Sequence, residues 1–230
     1  MPEGARTRPP TVQEFVLEEL RRAVVTGELK PGQPIRQEAI AENLGVSRVP
    51  LREALKILEG EGQVVHRAHH GYIVAELSLP DFLEVYRIRE ILEAEAARSA
   101  VEKLTDVDIG RIVDAQRDVE TASAQGDLQA MAVANRQLHF AIIEGCRMPQ
   151  LVRIIRNLWN TTDAYRSVYY NSPTNRERVE QEHREIVDAV RDRDAERLIR
   201  ALAEHRAHAV ETLRAIFEPT AEGQECIETP

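Results

Sequence analysis

The sequence predicts a mainly α-helical protein, with an N-terminal winged helix-turn-helix followed by an all-α bundle of six helices. Apolar residues make up 43% of the 230 residues but aromatic residues only 4%, a balance typical of helices rich in alanine and leucine. Apolar residues recur at helical spacing over most of the chain. Residues with β propensity are concentrated in two short runs on either side of His69, His70 and Gly71, which predicts one hairpin.

The first predicted domain covers residues 10–75. It follows a polar, proline-bearing segment, residues 1–9, which we expect to be disordered. Two glycines and a proline between residues 27 and 32 break the first helical pattern. Helices are predicted at residues 10–26, 37–44 and 47–61, and strands at residues 64–66 and 72–74. Three helices followed by a two-stranded wing define a winged helix-turn-helix.

The second predicted domain covers residues 81–218, after a short linker at residues 76–80. Its helical patterns are separated by glycine and proline, and Thr105 and Asp127 are suitable N-caps. Helices are predicted at residues 80–103, 106–125, 128–145, 149–170, 175–192 and 195–217. The polar tail, residues 219–230, is expected to be loose.

Charge is divided unevenly between the two domains. The chain has a net charge of −9, yet residues 1–75 contain ten basic and ten acidic residues, so all the acidity lies in the second part. A neutral domain can still bind DNA through clustered cations, because phosphate contacts are local. The two cysteines are far apart in the chain, which favours a reducing compartment. We find no leader pattern and no apolar run of about 20 residues, so we expect a cytoplasmic protein with no membrane partner.

The third helix has the pattern of a DNA-recognition helix. Gly45 can adopt a left-handed turn, and Ser47 is placed to cap the helix. Arg48 and Arg52 are four residues apart and share one face. The opposite, apolar face carries Leu51, Leu55 and Leu58. A leucine-anchored helix that presents two arginines suits a DNA major groove, although an isolated pair would equally be a solvated helix face.

The segment from Leu20 to Val74 resembles the DNA-binding domain of GntR-type transcriptional regulators. Its matching motifs are Gly27…Pro31-Gly32, residues 40–48, residues 50–55, Glu61-Gly62 and the wing Gly71. The resemblance implies that Ser47, Arg48 and Arg52 belong to the recognition helix and contact operator DNA. It also implies that the wing tip, with Arg67, His70 and Gly71, reaches the adjacent minor groove; otherwise these wing residues form an ordinary polar hairpin tip. Gln37 and Val49 depart from the usual glutamate and threonine.

Four polar residues of the helical domain predict a metal site. Asn135 and His139 are four residues apart, and His183 and His205 lie on later helices. Three imidazoles and an amide oxygen suit Zn²⁺ best, with Ni²⁺ a second possibility. Taken singly, each histidine could equally be a hydrogen-bonded or exposed helix residue. His208, one turn beyond His205, is a weaker candidate ligand.

The helical domain resembles the FCD ligand-sensing domain of the FadR-like branch, and by its six helices the VanR-like subgroup. The resemblance implies a metal held by Asp-x-x-x-His and two later histidines, here with Asn135 in place of the aspartate. An uncharged amide leaves the ion's positive charge uncompensated, which predicts a small carboxylate effector. Arg89 is predicted either to bind that effector or to form an internal salt bridge with Glu93 or Glu90.

The sequence therefore predicts a homodimeric transcriptional regulator, not an enzyme, that binds a two-fold symmetric operator and responds to a small acid. One alternative is a metal-dependent hydrolase attached to a DNA-binding module, with Glu182 or Glu185 as its general base. Another is a regulator whose metal is purely structural.

Overall fold

The computed structural model describes residues 10–215 and residue 217, without the side chains of residues 166–168. The chain divides into two compact units between Glu76 and Leu77. The segments expected to be disordered or loose, residues 1–9 and 219–230, lie outside the described residues.

The first unit is a winged helix-turn-helix, as predicted. Its elements are α1 (Val12–Val25), α2 (Gln37–Asn43), α3 (Arg48–Gly60), β1 (Val64–Arg67) and β2 (Gly71–Val74). Thr11 and Glu14 form a capping box that begins α1. Gly45 has φ +64° in the turn before α3, a left-handed conformation that glycine adopts without strain. The two strands are antiparallel, and Arg67 pairs with Gly71 at the turn.

Packing, rather than a side-chain cap, holds the start of α3. Ser47 occupies the N-cap with an extended backbone, but its side chain makes no capping hydrogen bond, so the predicted capping role is wrong in this respect. The residues that anchor the helix have no exposed surface: Leu51, Ala54, Leu55 and Leu58. At the other end, Arg21 of α1 donates to Glu61 at 2.5 Å. These contacts leave the arginine face of α3 exposed.

The wing is wider than the sequence predicts, because the segment before α2 pairs with β2. Pro34 forms a β-bridge with Ile73. The Ile35 N–H donates to the Tyr72 carbonyl at 2.8 Å, and the Val74 N–H donates to the Gln33 carbonyl at 3.0 Å. Proline has no N–H and is suited to an edge position. Backbone pairing between residues so far apart in the chain leaves no mark in local sequence patterns.

The second unit consists of helices in its described part. Their bounds are α4 (Leu79–Lys103), α5 (Asp106–Gln125), α6 (Leu128–Gly145), α7 (Pro149–Tyr170), α8 (Pro173–Arg191) and α9 (Ala195–Arg214). Ser78, Thr105 and Asp127 cap α4, α5 and α6 through their side chains. Helix α8 begins two residues earlier than predicted because Pro173 fits its first turn. Among the described helices, none is long and apolar enough to cross a bilayer.

Helix α6 is the most deeply enclosed helix of this unit. It packs against α4, α5 and α7, while α9 packs against α4, α7 and α8. Leu138, Ile142 and Trp159 belong to the apolar core that these helices share. Asn135 and His139 of α6 are buried in the same interior, so the predicted metal ligands lie where water has little access.

Replacing Gly145 by alanine is expected to lower the free energy of unfolding of the second unit by about 1–3 kcal/mol. A Cβ there would lie 2.5 Å from Leu104 Cδ2 and 3.4 Å from the Ala100 Cβ, so the buried Leu104 must move. Urea denaturation followed by Trp159 fluorescence measures the change, since this is the single tryptophan. Gly110→Ala is the control: it is a helical position with nothing within 4 Å, and alanine should stabilise it by up to about 1 kcal/mol. Equal effects at the two positions would contradict this prediction.

Candidate functional sites

An open, mostly cationic groove lies between α2, α3 and the wing. Arg48, Arg52 and Lys56 are on successive turns of α3 and line it together with Arg36 and His66; Gln37, Glu38, Ala39 and Tyr72 complete the lining. All the basic side chains of the groove are exposed. Because a locally positive, concave surface attracts the phosphate backbone, the neutral charge of the whole domain does not prevent DNA contact.

Glu38 places a negative charge inside this groove. Its Oε1 accepts from Arg48 Nη2 at 2.7 Å, and both side chains are more than half exposed. An exposed ion pair contributes at most about 1 kcal/mol. Arg48 can therefore exchange Glu38 for a phosphate or a base edge at little energetic cost, and the pair holds the guanidinium in the groove meanwhile.

The wing residues predicted to contact DNA lie together at the hairpin tip and do not line the groove. Arg67 ends β1 and Gly71 begins β2, with φ +75°. The His70 N–H donates to the Arg67 carbonyl at 3.0 Å, which closes the turn. His69 also has a positive φ, +65°, so its backbone is strained in a way that glycine's is not. The tip therefore offers a separate set of exposed polar groups.

Three of the four predicted metal ligands come together in the second unit. His139 of α6, His183 of α8 and His205 of α9 each offer a nitrogen, and these atoms all lie within 4.8 Å of one another. Their ring centroids are 4.9 to 5.3 Å apart. The first two histidines are buried and His205 is nearly so. Three convergent imidazoles are a donor set that Zn²⁺ and Ni²⁺ accept.

Two of the histidines are oriented by hydrogen bonds behind them. His183 Nδ1 bonds to Gln116 Oε1 at 3.0 Å, and His205 Nδ1 bonds to Glu182 Oε2 at 2.7 Å. An amide or carboxylate oxygen only accepts here, so each Nδ1 donates, and Nε2 of a neutral ring is the nitrogen left to bind a metal. Such outer partners fix the tautomer and make the ligand more basic.

Both carboxylate oxygens of Glu182 are hydrogen-bonded to histidines, His205 and His208. Burial by itself raises the pKa of Glu182, but hydrogen bonds and charge from His205 and His208 outweigh burial and lower the pKa below its usual value. Glu185 is occupied as well, because both its oxygens accept from Arg197, at 2.7 and 2.9 Å. Neither glutamate is placed as the general base that a hydrolase would need.

Asn135 is the fourth predicted ligand, and its environment fits a bound ion. The side chain has no exposed surface, and neither its amide oxygen nor its nitrogen has a hydrogen-bond partner in the described structure. Leaving a buried polar group unsatisfied costs about 1–3 kcal/mol. A metal ion coordinated by the amide oxygen would remove part of that cost. Asn135 lies one helical turn before His139, which places the two side chains on the same face of α6.

A cavity of about 30 Å³ lies beside the cluster, lined by His139 and His205 together with residues of α4, α7 and α9. Glu93 anchors its polar wall. Glu93 Oε1 accepts from Arg89 at 2.9 Å and from the Trp159 indole N–H at 2.7 Å, and Oε2 accepts from Arg206 at 2.6 Å. Burial alone raises the pKa of Glu93, but the two guanidinium groups outweigh it and lower the pKa to about 2.

The structure resolves the alternatives for Arg89 geometrically. Its guanidinium bonds to Glu93 rather than to Glu90, donates to Thr162 Oγ1 at 3.2 Å and lies 4.2 Å from the Trp159 ring centroid. Glu90 instead pairs with Arg87. Arg89 still lines the cavity, so the internal salt bridge does not remove it from the cavity wall.

One further cavity residue, Arg206, did not figure in the sequence predictions. Arg206 is buried and follows His205 directly, and Tyr169 stands near the end of α7. Burial, with a smaller contribution from Glu182, raises the pKa of Tyr169 to about 12, so its hydroxyl stays protonated. In the groove, Arg36, Lys56 and His66 were also missed. Of these, Lys56 alone had a signal, because it stands four residues after Arg52.

Family models match both units. The model described as bacterial regulatory proteins, gntR family, matches residues 12–74, and the FCD domain model matches residues 84–208. The chain belongs to the GntR family, with an FCD domain. The sequence resemblance to the FadR-like branch is therefore confirmed at this level. The chain is a DNA-binding transcriptional regulator, and GntR regulators bind operator DNA and small effectors and usually act as dimers.

Relatives of known name support this assignment. The transcriptional regulator McbR of Escherichia coli (strain K12) is 30% identical over 159 residues, which cover 69% of this chain and 72% of McbR. LutR of Bacillus subtilis (strain 168) is 27% identical over 216 residues, which cover 85% of this chain and 98% of LutR. The solved structure of E. coli McbR/YncC superposes with a TM-score of 0.83 at 26% identity, covering 91% of this chain and all of that one. These relatives are named as regulators, not as enzymes.

Proposed function

We propose that this regulator senses a small carboxylate at a divalent metal ion, most suitably Zn²⁺, and changes its operator affinity in response. The observation that carries the proposal is the convergence of three histidines beside a fully buried asparagine amide that lacks a hydrogen-bond partner. His139, His183, His205 and Asn135 would hold the ion. When bound, it supplies positive charge and open coordination positions to an anionic effector.

The charge of the pocket favours an acid. Asn135 is neutral where the FCD pattern has an aspartate, so the four ligands compensate none of the ion's charge. Arg89 and Arg206 bring two further positive charges to the cavity wall, against one negative charge on Glu93. A carboxylate therefore complements the pocket, and Arg89 is proposed to contribute to holding it.

The DNA side of the proposal places Arg48 and Arg52 on base edges or phosphates of the major groove, with Ser47 at the helix start. The wing tip, with Arg67, His70 and Gly71, would lie in the neighbouring minor groove. A homodimer would read the two halves of a two-fold symmetric operator, since one recognition helix covers only a few base pairs. We place the protein in the cytoplasm and, by its six FCD helices, in the VanR-like subgroup.

Control would follow from a population shift. An effector that binds one arrangement of the dimer's two winged helices more tightly than another shifts the population toward that arrangement. Operator affinity changes as a result, and the coupling free energy between effector and operator is the same in both directions. The predicted linker at residues 76–80 is short, which limits how independently the two units can move.

Replacing Arg52 by alanine is expected to weaken specific operator binding by about 1–3 kcal/mol, or roughly 5- to 150-fold, if Arg52 reads a base. The operator is obtained by selecting bound genomic fragments, and affinity is measured by fluorescence anisotropy at fixed salt. Arg117→Ala is the control, because Arg117 is an exposed arginine of α5 that pairs only with Asp114 in the described structure. A similar loss in both variants would show a nonspecific charge effect instead.

The same fragments test the sensing function. Gel shifts with zinc-loaded protein and a panel of small acids should identify acids that change the affinity, and metal removal should abolish their effect. If acids bind equally well after metal removal, the metal is structural and the proposal is wrong.

A further inference from the structure

Two buried hydrogen-bond donors of the cavity lack partners in the described structure. They are the Tyr169 hydroxyl and Arg206 Nε. Tyr169 is 3% exposed and Arg206 is 8% exposed, and both residues line the cavity that contains His139 and His205. A buried donor without an acceptor destabilises the fold, and folded proteins keep few such groups. Two in one cavity indicate an acceptor that binds there.

Several other polar groups of the wall are already engaged, which narrows the set of donors available to a ligand. Both oxygens of Glu93 accept hydrogen bonds, from Arg89, Arg206 and Trp159. Arg89 is held through Nε by Glu93 and through Nη1 by Thr162. Arg206 donates through Nη2 to Glu93, and its Nε has no hydrogen-bond partner in the described structure. A ligand therefore meets donors at Tyr169 and Arg206, and the nearby carboxylate has little capacity left to accept from a ligand ammonium.

Charge points to more than one anionic group. The wall carries two guanidinium groups and one carboxylate, an excess of one positive charge before any metal is bound. A divalent ion at the histidines raises that excess to three. Glu182, behind His205, offsets at most one charge of it, so at least two negative charges on the ligand are needed to bring the pocket to neutrality.

We propose that Tyr169 and Arg206 form a second anchoring position, which binds the distal carboxylate of a short dicarboxylate whose first carboxylate faces the metal-binding histidines. This inference rests on the proposed sensing function and specifies its ligand class. The cavity, of about 30 Å³, has room for only about two water molecules, so side chains of its wall must move apart to admit even a short ligand. A water molecule could satisfy one donor, but it would bring no charge.

The test compares succinate with butyrate, a monocarboxylate of matched length, by calorimetry on the full-length zinc-loaded protein. The wild type is expected to bind succinate at least about 10-fold more tightly, because hydrogen bonds to a charged group are stronger than those to a neutral one. Tyr169→Phe should reduce that preference by about 10-fold while leaving butyrate affinity unchanged. Arg206→Lys keeps the charge facing Glu93 but removes Nε, and it should act in the same direction.

Tyr165→Phe is the control variant. Tyr165 lies one turn earlier on α7 and accepts a hydrogen bond from the Leu77 N–H outside the cavity, so the succinate preference should persist. Metal-dependent binding of both acids without a preference for succinate, or a preference that Tyr169→Phe leaves intact, would overturn the second anchor while the sensing function stands. Absence of metal-dependent binding of any acid would overturn both.

Discussion

Replacing Glu93 by glutamine is expected to lower the free energy of unfolding of the helical unit by about 3–5 kcal/mol. The substitution removes the carboxylate that pairs with both Arg89 and Arg206 in the described structure, and both ion pairs are buried, with side chains at most 8% exposed. Two uncompensated guanidinium groups would then remain inside the protein. Urea denaturation followed by Trp159 fluorescence measures the loss, because this indole donates directly to Glu93.

The matched control is Glu95→Gln on the same helix. Glu95 pairs with Arg98 at 3.5 Å, and both side chains are more than half exposed. Water screens this pair, so its loss should change stability by at most about 1 kcal/mol. If the two variants lose the same stability, the Glu93 network does not organise the helical unit.

The same network gives stability a specific pH dependence. The pKa of Glu93 is about 2 in the folded protein against an ordinary 4.5. Because the folded pKa is depressed, the stabilisation of about 3 kcal/mol is complete above pH 4.5 and is lost as the pH falls toward 2. The stability difference between the wild type and Glu93→Gln should therefore shrink over this interval. A constant difference would mean that Glu93 does not titrate as described.

Replacing His139 by alanine is expected to weaken zinc binding by at least roughly 100-fold, since a site of a few ligands distributes about 10–16 kcal/mol among them. The three ring centroids form a nearly equilateral triangle, with distances from His139 of 5.3 Å to His183 and 5.0 Å to His205. Competition with a chromophoric chelator measures the affinity. Operator binding without effector should be retained, because the arginines proposed to contact DNA belong to the other unit.

His208→Ala is the control for this experiment. His208 bonds to Glu182 through Nδ1 and does not belong to the three-histidine cluster. It is expected to change zinc affinity much less than His139→Ala does. Equal losses would show that His208 is a ligand and that the cluster is assigned incorrectly.

Local sequence patterns were sufficient for the helices and for two arginines of the cationic groove. Each helix of the second unit has its own cap or break, as Thr105 and Asp127 show, so its bounds can be predicted without tertiary information. Arg48 and Arg52 share a face through helical spacing alone. The bridge between Pro34 and Ile73 could not be predicted in this way, because it depends on how distant segments pack.

The metal cluster was predicted from residue types and a family resemblance, whereas its supporting residues were not. Gln116 and Glu182 act through hydrogen bonds between helices, and no spacing rule relates them to His183 or His205. In the sequence, nothing distinguishes Arg206 from other arginines on helices. Its contact with Glu93 depends on the packing of α9 against α4. Tyr169 looked like an ordinary core aromatic residue for the same reason.

The most direct test of the central claim is operator affinity measured with and without succinate, in zinc-loaded and metal-stripped protein. We predict a change of about 5-fold or more on adding succinate to the loaded wild type, the usual range of allosteric coupling. Neither the stripped protein nor His139→Ala should show it. An equal response with and without metal would contradict the account, as would operator binding that no small acid alters.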